Sequence, residues 1–206
     1  MSHHLPASPQ LITVVTGNPN KLREITAIAP TDLELTAQKI NLDEIQSLDL
    51  QEIVTHKLKQ AYALVQKPVV VEDVSAELTD LGGLPGPFVK FFIEKLGRDA
   101  LFKLAKAGTV LPTADAQTTD ANPAVAIRCL AGYYDGTTML FGEGVVRGTV
   151  VEPRGVNGFG FDSTVVPAGE TRTVAEMSEE EKNEISHRAQ AMRNLFGAIA
   201  AHAQKS

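Results

Sequence analysis

A single cysteine among 206 residues, Cys129, excludes an internal disulfide. Its mostly apolar setting, Val125-Ala126-Ile127-Arg128-Cys129-Leu130, makes it a core thiol rather than a nucleophile. No apolar run approaches the roughly 20 residues of a membrane-spanning helix. The opening Met1-Ser2-His3-His4 lacks the basic and apolar regions of a secretory signal, so a cytosolic protein with no membrane partner is expected. Positive charge is not in excess either: 19 Lys and Arg against 25 Asp and Glu give a formal net charge of -6. That balance excludes a general nucleic-acid binder, which needs a broad basic surface, while leaving room for a small phosphorylated ligand in a local basic cleft. There is no internal repeat. What the chain does have is a 43% hydrophobic content, ample for a core that needs no staples.

Leu11 to Thr16 and Val69 to Glu72 are short, nearly all-apolar, β-branched runs, the pattern of strands buried on both faces. Between them Leu50, Ile53, Val54, Leu58, Ala61 and Val65 recur at helical steps until Pro68. With a short strand over Leu33 to Thr36, this is an α/β opening. Gly82 to Pro87 is a breaker-rich loop from which Pro87 is placed to start a helix to Leu96, and a further helix, Asp99 to Ala107, ends at Gly108. Residues 109–123 read as a solvent loop and residues 1–10 as a flexible terminus. Ala124 to Tyr134 and Thr137 to Val151 are long strands joined at Asp135-Gly136, a two-residue hairpin signal. Gly142, Gly144 and Gly148 predict bends or bulges in the second of them. Ser178-Glu179-Glu180-Glu181 is a capping box, and the last helix carries Ala189, Met192, Phe196 and Ile199 on one stripe.

Several constellations bear on chemistry. Thr16-Gly17-Asn18-Pro19-Asn20-Lys21 joins the first strand to a helix-like run, Leu22 to Ala29. With Asn18 as N-cap and Pro19 as the first helical residue, the helix start presents unpaired N–H groups and the positive dipole end to an anion, beside a lysine. Ser186 as cap of the last helix puts His187 and Arg188 in its first turn, the unfavourable end for cations. A bound anion or base would offset that, and so would an ion pair with Glu184 or another nearby glutamate. Glu72-Asp73, at the end of an apolar strand, lies where ligands gather in open α/β sheets, and reads either as a Mg2+ site or as a cap and salt bridge. Asp43 and Glu44 fall in a loop-like segment. Lys57 and Lys90 sit on helices, where a lone lysine is ordinarily solvated, but Lys90 occupies a first turn. Phe159-Gly160-Phe161-Asp162 is either a turn feeding a core strand or an open aromatic face for a nucleobase, a stack worth roughly 1–3 kcal/mol.

Thr16-Gly17-Asn18 with Lys21, Glu72-Asp73, Gly82-Gly83-Leu84-Pro85-Gly86-Pro87-Phe88-Val89-Lys90, Phe159 to Asp162, and Ala175-Glu176-Met177 through Lys182-Asn183 to Ser186-His187-Arg188 occur in one order. From about Leu11 to Arg193 the sequence resembles the inosine triphosphate pyrophosphatase family. The resemblance implies a two-lobed mixed α/β fold with a central elongated sheet, helices packed on it and a cleft between lobes. Lobe one would span about 11–108 plus the C-terminal helix 186–203, and lobe two about 124–185. It also implies a homodimer that hydrolyses ITP, dITP and XTP to the monophosphate and pyrophosphate, with Mg2+ or Mn2+ in its place. By motif, Thr16, Gly17, Asn18, Pro19, Asn20, Lys21, Lys57 and Lys90 resemble phosphate-binding positions, and Glu44 and Asp73 resemble metal ligands, with Val74 beside them. Phe159, Gly160, Phe161, Asp162, Lys182, His187 and Arg188 resemble the base-binding set. Asp73, Lys21 and Lys90 would carry catalysis as a metal-oriented water attacks the α-phosphorus. Val74-Ser75-Ala76 replaces the Ser-Gly or Thr-Cys common after the aspartate, and Phe161 stands where tryptophan is frequent; the chain has none. The alternatives are a pyrophosphatase for other modified or pyrimidine triphosphates, and a nucleotide-sensing module without catalysis.

Overall fold

The computed structural model describes residues 10–110 and 122–204; the expectations for residues 1–9 and 111–121 lie outside the described residues. In chain order the elements are β1 (Gln10–Val15), α1 (Pro19–Ala27), β2 (Leu33–Gln38), α2 (Leu50–Val65), β3 (Val69–Leu78), β4 (Pro85–Gly86) and α3 (Val89–Leu96). There follow α4 (Ala100–Val110), β5 (Ala124–Tyr134), β6 (Met139–Val150), β7 (Val165–Pro167), α5 (Glu179–Ile185) and α6 (His187–Ala203). The expected mixed α/β class is observed. One sheet runs β2-β1-β3-β5-β6-β7, with β4 attached to β3. β1 pairs in parallel with β2 and β3 through the α1 and α2 crossovers, and the other pairings are antiparallel. No helix among the described residues is long and apolar enough to cross a membrane.

β3 is longer than its apolar run predicts. It continues to Leu78 because β5 pairs with it along its whole length, from Val69 opposite Tyr134 to Leu78 opposite Val125. β1 meets it only at Val69 and Val70. Glu72 and Asp73 therefore lie in mid-strand, and they are reachable because β1 stops short of them. Alternation then separates the two carboxylates. Val70 and Val74 face the core built with Ile25 of α1 and Met192, Leu195 and Phe196 of α6, so Glu72 points to that side. Val69 and Val71 face Val54, Leu58 and Ala61 of α2, which is the side of Asp73.

Four local expectations are corrected. Pro87 does not open a helix: α3 starts at Val89 after Phe88, so Lys90 is its second residue. α4 runs through Gly108 to Val110. Asp135-Gly136 belongs to a four-residue connection, since Tyr134 pairs with Met139. There Asp135 Oδ1 accepts from the amides of Thr137 (2.9 Å) and Thr138 (2.7 Å), an Asx-type turn that outweighs the dipeptide preference.

The glycines of β6 mark no bulge, because the ladder to β5 runs unbroken from Ala124 opposite Thr149 to Tyr134 opposite Met139. They make room instead. A Cβ on Gly144 would stand 2.1 Å from the His187 carbonyl oxygen, and one on Gly142 2.3 Å from that of Ala191. Helix α6 thus lies directly on the β6 backbone, and its first residues are fixed against the sheet. A Gly144→Ala substitution is expected to destabilise the protein by about 1–3 kcal/mol through overpacking against main chain, read as a lower urea midpoint at an unchanged m-value. An unshifted midpoint would contradict this close contact.

Candidate active site

A cleft of about 910 Å3, large enough for a small organic ligand, opens where β1 ends and the middle of β3 is left uncovered. The residues that resemble the family's phosphate-, metal- and base-binding positions all line it except Pro19, which serves instead as the first residue of α1; Asp43, beside Glu44, does not line it. Thr16, Gly17, Asn18, Asn20 and Lys21 form one wall. The amides expected there for an anion are already engaged: Asn18 Oδ1 accepts from the N–H groups of Asn20 (2.9 Å) and Lys21 (3.3 Å), and Thr16 Oγ1 accepts from that of Asn18 (3.1 Å). The cap is as predicted, and its completeness corrects the prediction of free N–H donors. The wall offers side chains and the dipole, not a set of vacant amides.

At the α2 side of the cleft, Lys57 Nζ lies 3.0 Å from Asp73 Oδ2 and 3.4 Å from Glu44 Oε1. Lys90 Nζ of α3 approaches the same Glu44 oxygen at 3.6 Å. The other oxygen of Asp73 accepts from the Val74 amide at 2.8 Å, so Val74 enters the site through its backbone. Burial would raise the Glu44 carboxyl, but the Lys57 and Lys90 charges outweigh it and lower its pKa. Burial likewise works against the Lys57 ammonium, and the Asp73, Glu44 and Glu72 carboxylates together more than compensate, raising its pKa. Two carboxylates from distant parts of the chain thus converge on one cation. Among the described residues no group of three or more His, Cys, Asp or Glu is placed to cage a metal. A pair of hard oxygen donors suits Mg2+, which retains waters and completes its shell with substrate phosphates.

Glu72 belongs to a different assembly. One carboxylate oxygen pairs with Lys21 Nζ, and the other lies 3.4 Å from Arg188 Nε. Arg188 Nη1 pairs with Glu24, whose second oxygen is 2.7 Å from Lys182 Nζ; Lys182 reaches Asp162 Oδ2 at 2.7 Å. That same Asp162 oxygen accepts from the Phe159 amide at 2.7 Å. Three cations and three carboxylates therefore alternate in a mostly buried, charge-balanced chain from the Asn18 wall to the aromatic loop. Burial opposes ionisation of Glu72, yet Lys21 and Arg188 hold its carboxyl far below the usual range. Burial also opposes the Arg188 charge, and Glu72 reverses this, raising its pKa.

The network decides the open question about the first turn of α6. Arg188 is stabilised by carboxylates remote in sequence, not by Glu184, while burial and then the Arg188 and Lys182 charges push the His187 imidazole well below its usual pKa. One of the two expected cations is therefore neutral at pH 7. Of the two loop phenylalanines Phe159 is the more accessible, with Lys182 Nζ 4.6 Å and Arg188 Cζ 5.5 Å from its ring centroid. Phe161 is only 8% exposed and packs into the main core, so its ring offers no open face. Gly160 has φ +62°, the left-handed turn that sets Phe159 apart from Phe161. The sequence reading missed Glu24. Its signal was a carboxylate three residues past Lys21 on the buried face beside Ile25, with no local partner in view. Cys129 is fully buried as expected, its Sγ 3.4 Å from Glu72 Oε2, and burial raises its pKa.

Over residues 12–198 the sequence matches the Ham1 family. It is 41% identical to the inosine triphosphate pyrophosphatase of Yarrowia lipolytica over 95% of this chain and 98% of that protein. It is 39% identical to the inosine triphosphate pyrophosphatase of Schizosaccharomyces pombe over 87% and 89% of the two chains. The fold matches the solved HAM1 protein of Coxiella burnetii with a TM-score of 0.76 at 23% identity, covering 93% of this chain and 99% of that one. The Staphylococcus aureus Ham1 protein gives 0.75 at 23% identity, covering 94% and 100%. With the family matched across nearly the whole chain and the cleft assembled from the motifs in its order, this protein belongs to the Ham1 family.

Proposed function

We propose that this chain hydrolyses deaminated purine nucleoside triphosphates such as ITP, dITP and XTP to the monophosphate and pyrophosphate. The observation that carries the reading is the union, in one cleft, of a lysine-and-carboxylate end with an aromatic face bordered by cationic donors. Relatives named inosine triphosphate pyrophosphatase support it. Lys21, Lys57 and Lys90 face the space for a polyphosphate and would absorb the charge that develops on a leaving pyrophosphate. Glu44 and Asp73 would hold Mg2+ or Mn2+, which when bound neutralises phosphate charge and orients the attacking water. The Phe159 ring would stack the base while Lys182, Arg188 and loop N–H groups present donors to its 6-oxo oxygen. An adenine amino group in that position sets donor against donor, at about 1–3 kcal/mol per unpaired group. A homodimer working on the cytosolic nucleotide pool completes the reading.

Pyrophosphate release is expected from ITP, dITP and XTP in the presence of Mg2+, with ATP turned over at least tenfold more slowly, a factor that one unpaired polar group supplies, and with dUTP and dTTP, whose single rings stack less area on Phe159, also slower. Equal turnover of ITP and ATP would refute the base assignment. Asp73→Asn is expected to abolish metal-dependent hydrolysis with an unchanged circular dichroism spectrum, and wild-type turnover in that variant would remove Asp73 from the chemistry.

Glu72 makes a separate, structural prediction. Its folded pKa is depressed, so its contribution to stability is complete above the ordinary glutamate value of 4.5 and is lost as pH falls below it. Glu72→Gln is therefore expected to lower stability at pH 7 and to flatten the acid limb of the stability curve below pH 4.5. Parallel wild-type and variant curves, measured by urea unfolding at each pH, would show that the network does not depend on this carboxylate.

A further inference from the structure

Residues 39–49, between β2 and α2, form neither helix nor strand, yet they carry Glu44 to the cleft. Ile40 and Leu42 seat the start of this segment on the core beneath α2. The next residue, Asp43, is held by Gln60 of α2 at two points. Its amide donates to Gln60 Oε1 at 2.8 Å, and its Oδ2 accepts from Gln60 Nε2 at 2.9 Å. Gln60 Nε2 also lies 3.0 Å from His56 Nε2, one turn back on the same helix. The carbonyl of Gln60 and the amide hydrogen that faces Asp43 thus have partners, and turning the amide over would set donor against donor and carbonyl against carboxylate. Gln60 stands three residues after Lys57 on α2, so one helix face presents Lys57 to Glu44 and Gln60 to the residue before it.

We propose that Gln60 is a positioning residue for the divalent-cation site: by clamping the main chain and side chain of Asp43, it holds Glu44 opposite Asp73. The inference rests on the reading that Glu44 and Asp73 are the metal ligands. Without the clamp, Glu44 sits on an irregular segment anchored upstream at Leu42 and downstream at Ser47, whose Oγ donates to Glu52 Oε2 of α2 at 2.8 Å. A mobile ligand lowers the affinity for the ion without removing any group from the reacting atoms. The defect therefore belongs to metal dependence and not to turnover at saturating metal. Partners that orient metal ligands from behind contribute on the order of tenfold in affinity.

The test compares wild type, Glu44→Gln, Gln60→Leu, Gln60→Glu and the double variant Asp43→Asn with Gln60→Glu. Two quantities are read: the half-saturating Mg2+ concentration and kcat for pyrophosphate release from ITP, and Mn2+ binding by electron paramagnetic resonance in the presence of an α,β-imido analogue of ITP. Gln60→Leu is expected to raise the half-saturating Mg2+ about tenfold, weaken Mn2+ binding in parallel and leave kcat at saturating Mg2+ nearly unchanged. Gln60→Glu, which sets two carboxylates face to face, is expected to be worse. The double variant reverses donor and acceptor across the same clamp and is expected to recover most of the loss. If Gln60→Leu does not fold, Asp43→Ala, which leaves α2 intact, gives the same readout with a smaller shift. Wild-type metal dependence in a folded Gln60→Leu, a fall in kcat with metal dependence unchanged, or no recovery in the double variant overturns the inference. If instead wild type neither binds Mn2+ nor requires Mg2+, the reading of the site itself falls. A metal effect in Glu44→Gln that is absent in Gln60→Leu leaves that reading standing and removes only Gln60.

Discussion

The constraint on which the rest depends is a carboxylate placed on the inner face of the central strand. Glu72 is 7% exposed among apolar neighbours, and an ion so placed persists only if cations meet it. Lys21 arrives from the start of α1 and Arg188 from the start of α6, so both helix termini are fixed by the same side chain. Removing one member of such a buried assembly typically costs about 3–5 kcal/mol because its partners are left uncompensated. The consequence is geometric: the α1 wall, the aromatic loop around Phe159 and the head of α6 cannot shift independently. The glycines of β6 complete the constraint, since α6 delivers Arg188 at this depth only by lying on bare backbone.

Adjacent residues on β3 then do opposite work. Glu72 turns toward α1 and α6 and holds the scaffold, while Asp73 turns toward α2 and meets Lys57, which also reaches Glu44. A strand, unlike a helix, puts neighbours on opposite faces, so an acidic dipeptide in mid-strand serves two compartments at once. Of the two readings of Glu72-Asp73 that the sequence left open, the salt bridge describes both members, Glu72 with Lys21 and Arg188 and Asp73 with Lys57, while the Mg2+ site stays with the proposed function of Asp73.

What was legible in the sequence is what local chemistry determines. Asn18, Ser178 and Ser186 cap the helices their positions predicted, and the apolar steps from Leu50 to Val65 match α2 at both ends. What stayed hidden depends on partners far along the chain. Glu24 meets Arg188 across a separation of 164 residues, and nothing near either residue advertises the other. β3 is extended by β5, Gly142 and Gly144 of β6 answer to α6 and Gly148 to β7, and the Asp135 turn answers to its own side chain. The site motifs were readable as a set, but the sequence could not separate residues that face the cleft from those that hold its walls. Phe161 and Asp162 illustrate this: both line the cleft, yet one is core and the other has its Oδ2 occupied by Lys182 and the Phe159 amide.

Under the proposed function, the same separation lets a cleft crowded with lysines and carboxylates accept a polyanion. In the buried network each charge is already balanced, and exchanging partners there would expose several ions at once. At the Asp73 end the balance is looser: Lys57 is shared between Asp73 and Glu44, and Lys90, with a side chain 61% exposed, only grazes Glu44 at 3.6 Å. Ion pairs as exposed as that of Lys90 are worth about 0–1 kcal/mol, so turning its ammonium toward a phosphate costs little. On that reading, a polyanion that draws Lys57 and Lys90 to itself would leave Glu44 and Asp73 open to a cation of higher charge, so substrate and divalent ion would favour each other's binding without any movement of the network behind Glu72. The balanced half of the cleft would then set where the base lies, and the looser half would accommodate the charge of the phosphates.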